Sequence, residues 1–226
     1  MSTAPHVSID LGEFWRDPYP TLKTLRDKAP IAFVPELGAT LFTRRDDIYV
    51  YEKMVDVFSS HQPQGLMNRL MGHNMMRKDG AEHQAERAII FPAVSPKTVR
   101  THWTQVFQGH ADRVLDEVAP KGSADLFKEV ALPISGECLK SLTGLANISY
   151  RDMDAWSQGM IDGIANYIGD PQVEARCTAA TAGIDSAIDV MIPILRETPD
   201  HSLLSVMLQT DLPMDSVRAN VKLAIS

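Results

Sequence analysis

Asp79-Gly80-Ala81-Glu82-His83-Gln84-Ala85-Glu86-Arg87, closed downstream by Pro92 and Pro96, is the stretch that decides the reading of this chain. Asp79 followed three residues later by Glu82 reads as a capping-box-like helix start. His83 and Arg87 then stand four residues apart, about one helical turn, and project from the same face. A cationic pair on one buried face calls for a partner of negative charge.

Upstream, Asp17-Pro18-Tyr19-Pro20 opens a helix through Leu22, Leu25 and Arg26 that Pro30 ends. Residues 31–33 and 39–43 flank the turn Glu36-Leu37-Gly38, the pattern of a β-hairpin. Asp46 or Asp47 is predicted to cap a helix from Ile48 to about Phe58. Residues 1–60 thus read as a small mixed α/β lobe, and 61–226 as the helical part of the same domain. Between the lobe and the quoted helix, residues 61–78 carry Met67, Met71, Met75 and Met76 in a segment with no regular period. A long irregular segment inside a compact domain is usually functional.

Downstream the pattern is helical. Val99, Trp103, Val106, Phe107, His110 and Val114 recur close to every 3.6 residues. A second helix spans Leu126 to Leu145. Ser149 caps a third through Met153, Trp156, Met160, Ile164 and Ile168. After Gly169-Asp170-Pro171 a long helix passes Cys177, Ile184, Ile188 and Ile192 and ends near Pro199. Residues 202–208 form a short helix. Asp215 is predicted to cap a last helix whose residues Val217, Val221, Leu223, Ala224 and Ile225 are apolar around much of its circumference. Such a helix is normally buried centrally. It reaches Ser226 without a Gly, Asn or Pro stop signal, so an incomplete fold is expected.

Composition narrows the function classes. The 226 residues are 44% hydrophobic and 23% charged, as in globular domains, with a net charge of −7 that argues against nucleic-acid binding. No secretory signal and no apolar run of membrane-spanning length is read, so a cytoplasmic location without membrane association is expected. The two cysteines, Cys138 and Cys177, lack metal-site spacing and read as reduced, packed thiols. His61, His73 and His83 share no helix face, which makes a zinc site unexpected. His102 and His110 read as partly buried helix residues. Neither a nucleotide-binding glycine motif nor a nucleophile elbow is present.

These pieces, in this order, resemble the N-terminal half of a bacterial cytochrome P450. Phe14-Trp15-Arg16-Asp17-Pro18-Tyr19-Pro20 looks like the family's opening before its first helix. The quoted stretch is similar to its D-x-x-E-H-x-x-x-R segment. Ala93, Ser95 and Pro96 match the ending A-F-[ST]-P, with Val94 where Phe is usual. Asn220-Val221-Lys222-Leu223-Ala224-Ile225-Ser226 looks like the approach to the oxygen-activating turn of the central helix. Lys78-Asp79-Gly80 and the run Asn220-Val221-Lys222-Leu223 lean toward bacterial groups that include reductase-fused members.

The fold class implied is mainly α with a small β-hairpin, an incomplete cytochrome P450-like fold truncated within the central helix. The family's oxygen-activating residues, its E-x-x-R pair and its iron-ligating Cys segment are not found. Neither Cys138 nor Cys177 lies in a Gly-flanked loop of the family's type, so no metal ligand and no catalytic residue is assigned.

The resemblance implies a b-type, thiolate-ligated haem whose propionates are bound by His83 and Arg87. Arg supplies a permanently charged fork. His donates a hydrogen bond, and a propionate beside it would favour its charged form. It also implies that Met76 touches haem, and that Met75, Ile164, Leu223 and Ser226 line a substrate pocket. Met67, Leu70, Met71, Met160 and Ile161 are weaker pocket candidates. The implied activity is a monooxygenase that oxidises an apolar small molecule with dioxygen, inactive without the missing half. Electrons would come from a ferredoxin or a fused or separate reductase, with Lys97 and Arg100 on the side where the donor docks. The alternatives are a stand-alone helical interaction module without catalysis, and a non-haem binder of apolar ligands.

Overall fold

The computed structural model describes residues 3–167 and 169–226, so the Ile168 position of the third predicted helix lies outside the described residues. The chain divides into two compact units, one ending at Ser59 and the other spanning Ser60–Ser226.

In the first unit, Asp10 accepts from the Glu13 N–H and opens helix α1, Leu11–Arg16. Asp17 does the same for Tyr19 at the start of α2, Pro18–Lys28, where Pro18 occupies a position that has no intrahelical donor to lose. Strands β1, Ile31–Val34, and β2, Ala39–Phe42, pair antiparallel with Ile31 opposite Phe42 and Val34 opposite Ala39. Gly38 closes the turn at φ 61°, a left-handed conformation that costs a side chain strain. Leu25, Ala32 and Val34 form the buried centre of this unit.

The next helix, α3, covers Arg45–Tyr51 and differs from expectation at both ends. Its N-cap is Arg44, and Asp46 and Asp47 sit in the first turn, where they complement the positive helix end without capping it. It stops at Tyr51 because residues 52–58 turn back and bring Phe58 onto both Phe42 and Tyr51, each at 5.5 Å between ring centroids. Aromatic contact, a tertiary effect, overrides the local helical pattern there.

The second unit begins with residues that were irregular by pattern but are ordered by packing. Helix α4, Leu66–Met71, buries Met67 and Met71, and Gly72 ends it at φ 89°. A single tight turn, Met75–Arg77, leads to α5, Gly80–Val94. Pro96–Thr98 (α6) continues through a wider π-turn, Val99–Trp103, into α7, Thr104–Val118. Another π-turn, Leu126–Ala131, precedes α8, Leu132–Thr143, with Pro133 in its first turn. The remaining helices are α9, Tyr150–Ile164, α10, Pro171–Glu197, α11, Leu203–Leu208, and α12, Met214–Ile225. Ser149 forms a full capping box with Asp152.

Helices α9 and α10 meet where α9 has no side chains. A Cβ on Gly159 would stand 3.2 Å from the Ala180 Cβ, and one on Gly163 only 2.5 Å from the Cys177 Cβ. Around this crossing Met71, Leu145, Met153, Met160, Ile184, Ile188, Leu204, Met207, Val217 and Val221 form one buried cluster. Helix α12 is central to it, as its apolar circumference predicts, and is packed by α4, α8, α10 and α11. Its cap is Pro213 rather than Asp215, which lies one residue inside the helix.

By length and composition α10 could cross a membrane. It nevertheless buries Cys177, Ala180, Ile184, Ile188, Met191 and Leu195 against neighbouring helices, and it pairs Asp185 with Lys222 at 2.9 Å.

Candidate functional site: the anchor helix and its buried partners

Helix α5 does not begin as a capping box. Asp79 is the N-cap residue, but its carboxylate receives the Ser60 N–H at 3.0 and 3.1 Å and makes no cap bond within the helix. Glu82 turns to Lys78, 2.9 Å away. The two acids that look like reciprocal caps in sequence are drawn off, Asp79 by the distant Ser60 and Glu82 by the neighbouring Lys78.

The face holding His83 and Arg87 is also not a buried one. The buried stripe of α5 is Glu86, Ile90 and Ala93, spaced four and three residues apart. His83 lies at its margin and is half-buried. Arg87 follows Glu86, roughly 100° further round the helix, and is exposed. Its guanidinium makes no ion pair or hydrogen bond among the described residues.

His83 is oriented from behind. Its Nδ1 lies 2.8 Å from the Met75 carbonyl oxygen. A carbonyl only accepts, so Nδ1 carries the proton and Nε2 is left for another partner. Donation from Nε2 therefore requires the doubly protonated ring.

Beneath this pair lies a polar cluster that sequence reasoning missed. Lys78 and Glu86 have side chains only 6% exposed, and the ammonium Nζ is 2.6 Å from Glu86 Oε1. Burial works against the Lys78 charge, but hydrogen bonds to Glu86 and Glu82 outweigh it and hold the group above the ordinary lysine range. The other Glu86 oxygen, Oε2, accepts from Asn220 Nδ2 at 2.9 Å, and Asn220 Oδ1 accepts the Met75 N–H at 2.9 Å. Helix α12 is thereby tied to α5. A Lys and a Glu eight residues apart across a helix start, and an Asn more than a hundred residues away, carry no local pattern that would reveal them. The one available signal was Asn220 among the apolar residues Val217, Val221 and Leu223 of the last helix.

The other predicted site residues divide. Met75 is half-buried on the core, while Met76 is 50% exposed. Ile164 lines a cavity of about 320 Å³ with Gln62, Leu66, Met67, Ile161 and the Arg77 side chain. Met75, Leu223 and Ser226 are not part of its lining. Leu223 and Ser226 stand half-buried at the end of α12, with Ser226 Oγ donating to the Leu223 carbonyl. Met160, Met71 and Leu70 belong to the core cluster or pack against it. The structure thus brings Met75 to His83 and Asn220, and places Ile164 in a separate hollow.

Both thiols are unsuited to act as thiolates. Burial pushes Cys138 and Cys177 up from their ordinary range, and Cys177 is fully enclosed between α9 and α10. Among the described residues no three His, Cys, Asp or Glu side chains are grouped to hold a metal ion, although His61 and His73 have ring centroids 5.3 Å apart. His102 and His110 are half-buried; Lys97 and Arg100 are exposed.

No protein-family model matches the chain. Individual proteins do. The polyketide biosynthesis cytochrome P450 PksS of Bacillus subtilis is 25% identical over 169 residues, covering 66% of this chain and 41% of its own length. A methyl-branched lipid omega-hydroxylase of Mycobacterium tuberculosis is 26% identical over 195 residues, 75% of this chain and 44% of its own. The cytochrome P450 monooxygenase PikC of Streptomyces venezuelae is 24% identical, covering 92% of this chain and 51% of its own length.

In three dimensions, P450BioI, crystallised with an acyl-loaded acyl carrier protein, aligns with a TM-score of 0.77 at 16% identity. That match covers 94% of this chain and 58% of that one. The PksS structure aligns at 0.70 with 21% identity, covering 93% and 55%. The chain spans about half the length of the curated relatives it matches, and the matches do not favour an unrelated helical interaction module. The chain has a partial cytochrome P450 fold and is similar in sequence to bacterial members of that family.

Proposed function

We propose that this chain forms the haem-edge part of a bacterial haem-thiolate monooxygenase, and that His83 and Arg87 bind the haem propionates. The carrying observation is the donor set. One helical turn apart, Arg87 has a guanidinium without a partner among the described residues, and His83 is held by the Met75 carbonyl through Nδ1. Two such groups fit a pair of carboxylates, the Arg as a charged fork and the His as an imidazolium. Haem, when bound through a thiolate, supplies the dioxygen chemistry.

This chain's own residues would position the group and shield one side of it. Met75 and Met76 flank the anchor and supply soft apolar contact. Leu223 and Ser226 would face the substrate from α12, and Ile164 from the hollow on α9. An apolar substrate agrees with that lining and with the lipid named for the mycobacterial relative. Electrons would come from a ferredoxin or a reductase, and a soluble cytoplasmic setting fits the packing of α10 within the bundle.

A haem titration tests the reading. The 226-residue chain should take up haem weakly and give no thiolate-type spectrum when reduced with carbon monoxide, because Cys138 and Cys177 are buried or poorly ionised. A thiolate-type spectrum from this chain alone would contradict the assignment of the iron ligand to other residues.

A further inference from the structure

We infer that Glu86 and Asn220 are positioning residues for His83, acting through both sides of Met75. Each link in the series has a fixed direction. Lys78 donates to Glu86 Oε1 at 2.6 Å. A carboxylate only accepts, so its Oε2 must receive a proton from Asn220, which places the Asn220 amide nitrogen toward Glu86. The amide oxygen is then turned to the Met75 N–H. Met75 is gripped at its N–H, and its carbonyl accepts from His83 Nδ1. The imidazole is held in the Nδ1–H form with Nε2 turned away from Met75.

The arrangement is buried where it must be. Glu86 is 4% and Asn220 3% exposed, so water does not compete for these bonds. A buried Asn costs desolvation unless it is hydrogen-bonded, and both its amide atoms are used. Replacing Glu86 by Gln, with its amide oxygen kept on Lys78, would set its N–H₂ group against that of Asn220 unless Asn220 turned round. A turned Asn220 would point N–H₂ at the Met75 N–H and release residue 75. The same bonds tie α12 to the anchor helix, so displacement of α12 would be felt at His83.

The tautomer part of this inference stands on the geometry alone; its effect on ligand binding rests on the haem reading above. The test is ¹⁵N NMR of the histidine side chains at alkaline pH, with the His83 signals assigned from His83→Gln. Wild-type protein should show His83 as the Nδ1–H tautomer. Asn220→Ala and Glu86→Gln should shift it to a mixture or to Nε2–H, and loss of the fixed ring orientation should weaken haem uptake at least tenfold. Asn220→Ser, smaller and still polar, supplies a second variant should Asn220→Ala fail to fold. An unchanged Nδ1–H signal in any folded variant would overturn the positioning role. A changed tautomer with unchanged haem uptake would uphold the positioning of His83 and remove its role in binding haem.

Discussion

Asn220 Nδ2 donates to Glu86 Oε2 at 2.9 Å across 134 positions of sequence, and this buried bond joins the last helix to the anchor helix. Glu86 also neutralises Lys78, so it satisfies two buried donors at once. Removing it leaves the ammonium with only the exposed Glu82 and leaves an amide donor unpaired. Glu86→Ala should therefore destabilise by about 3 kcal/mol, as expected when a buried pair loses one partner. Urea denaturation would measure it, and a loss below about 1 kcal/mol would mean that the cluster is solvated.

The same cluster gives a pH dependence. The folded-state pKa of Lys78 is raised, so its contribution is fully present below the unfolded value of 10.5 and is lost as pH rises through the folded value. Stability of wild-type protein should fall in that alkaline window more steeply than that of Lys78→Met. Parallel unfolding curves for the two as pH rises above 10.5 would contradict this.

Trp103 has its indole N–H 2.6 Å from the Ala93 carbonyl, at the end of α5 where that carbonyl has no helical partner. Trp103→Phe keeps the ring and removes the donor, and should cost about 1–2 kcal/mol. Trp103→Ala adds loss of packing and should cost about 3–5 kcal/mol. Thermal unfolding of the pair separates the two contributions.

The α9–α10 crossing depends on missing atoms. A Cβ on Gly163 would overlap Cys177 Sγ, so Gly163→Ala should destabilise by about 1–3 kcal/mol. Cys177→Ala in the same chain removes the sulfur and should recover part of that loss. Additive effects in the double variant would show that the helices part rather than clash.

Much of the fold was legible because it is written locally. Capping residues such as Asp17 and Ser149 accept from nearby helical N–H groups in the structure, and Gly38 forms the hairpin turn. Local patterns failed where distant groups compete for the same side chain. Asp79 serves Ser60 instead of its own helix, and Phe58 leaves a helical pattern for an aromatic cluster. The anchor was legible only in part. The spacing of His83 and Arg87 is local, but the Met75 carbonyl that sets the imidazole and the Asn220 amide that holds Met75 are joined by folding alone.

The central claim is that His83 and Arg87 recognise two carboxylates of haem. Titration with haem and with its dimethyl ester, in which both propionates are neutral, tests it most directly. Wild-type protein should bind the free acid at least tenfold more tightly than the ester, and His83→Ala with Arg87→Ala should erase that difference. Equal affinity of wild-type protein for the two, or a preference that survives the double substitution, would contradict the account.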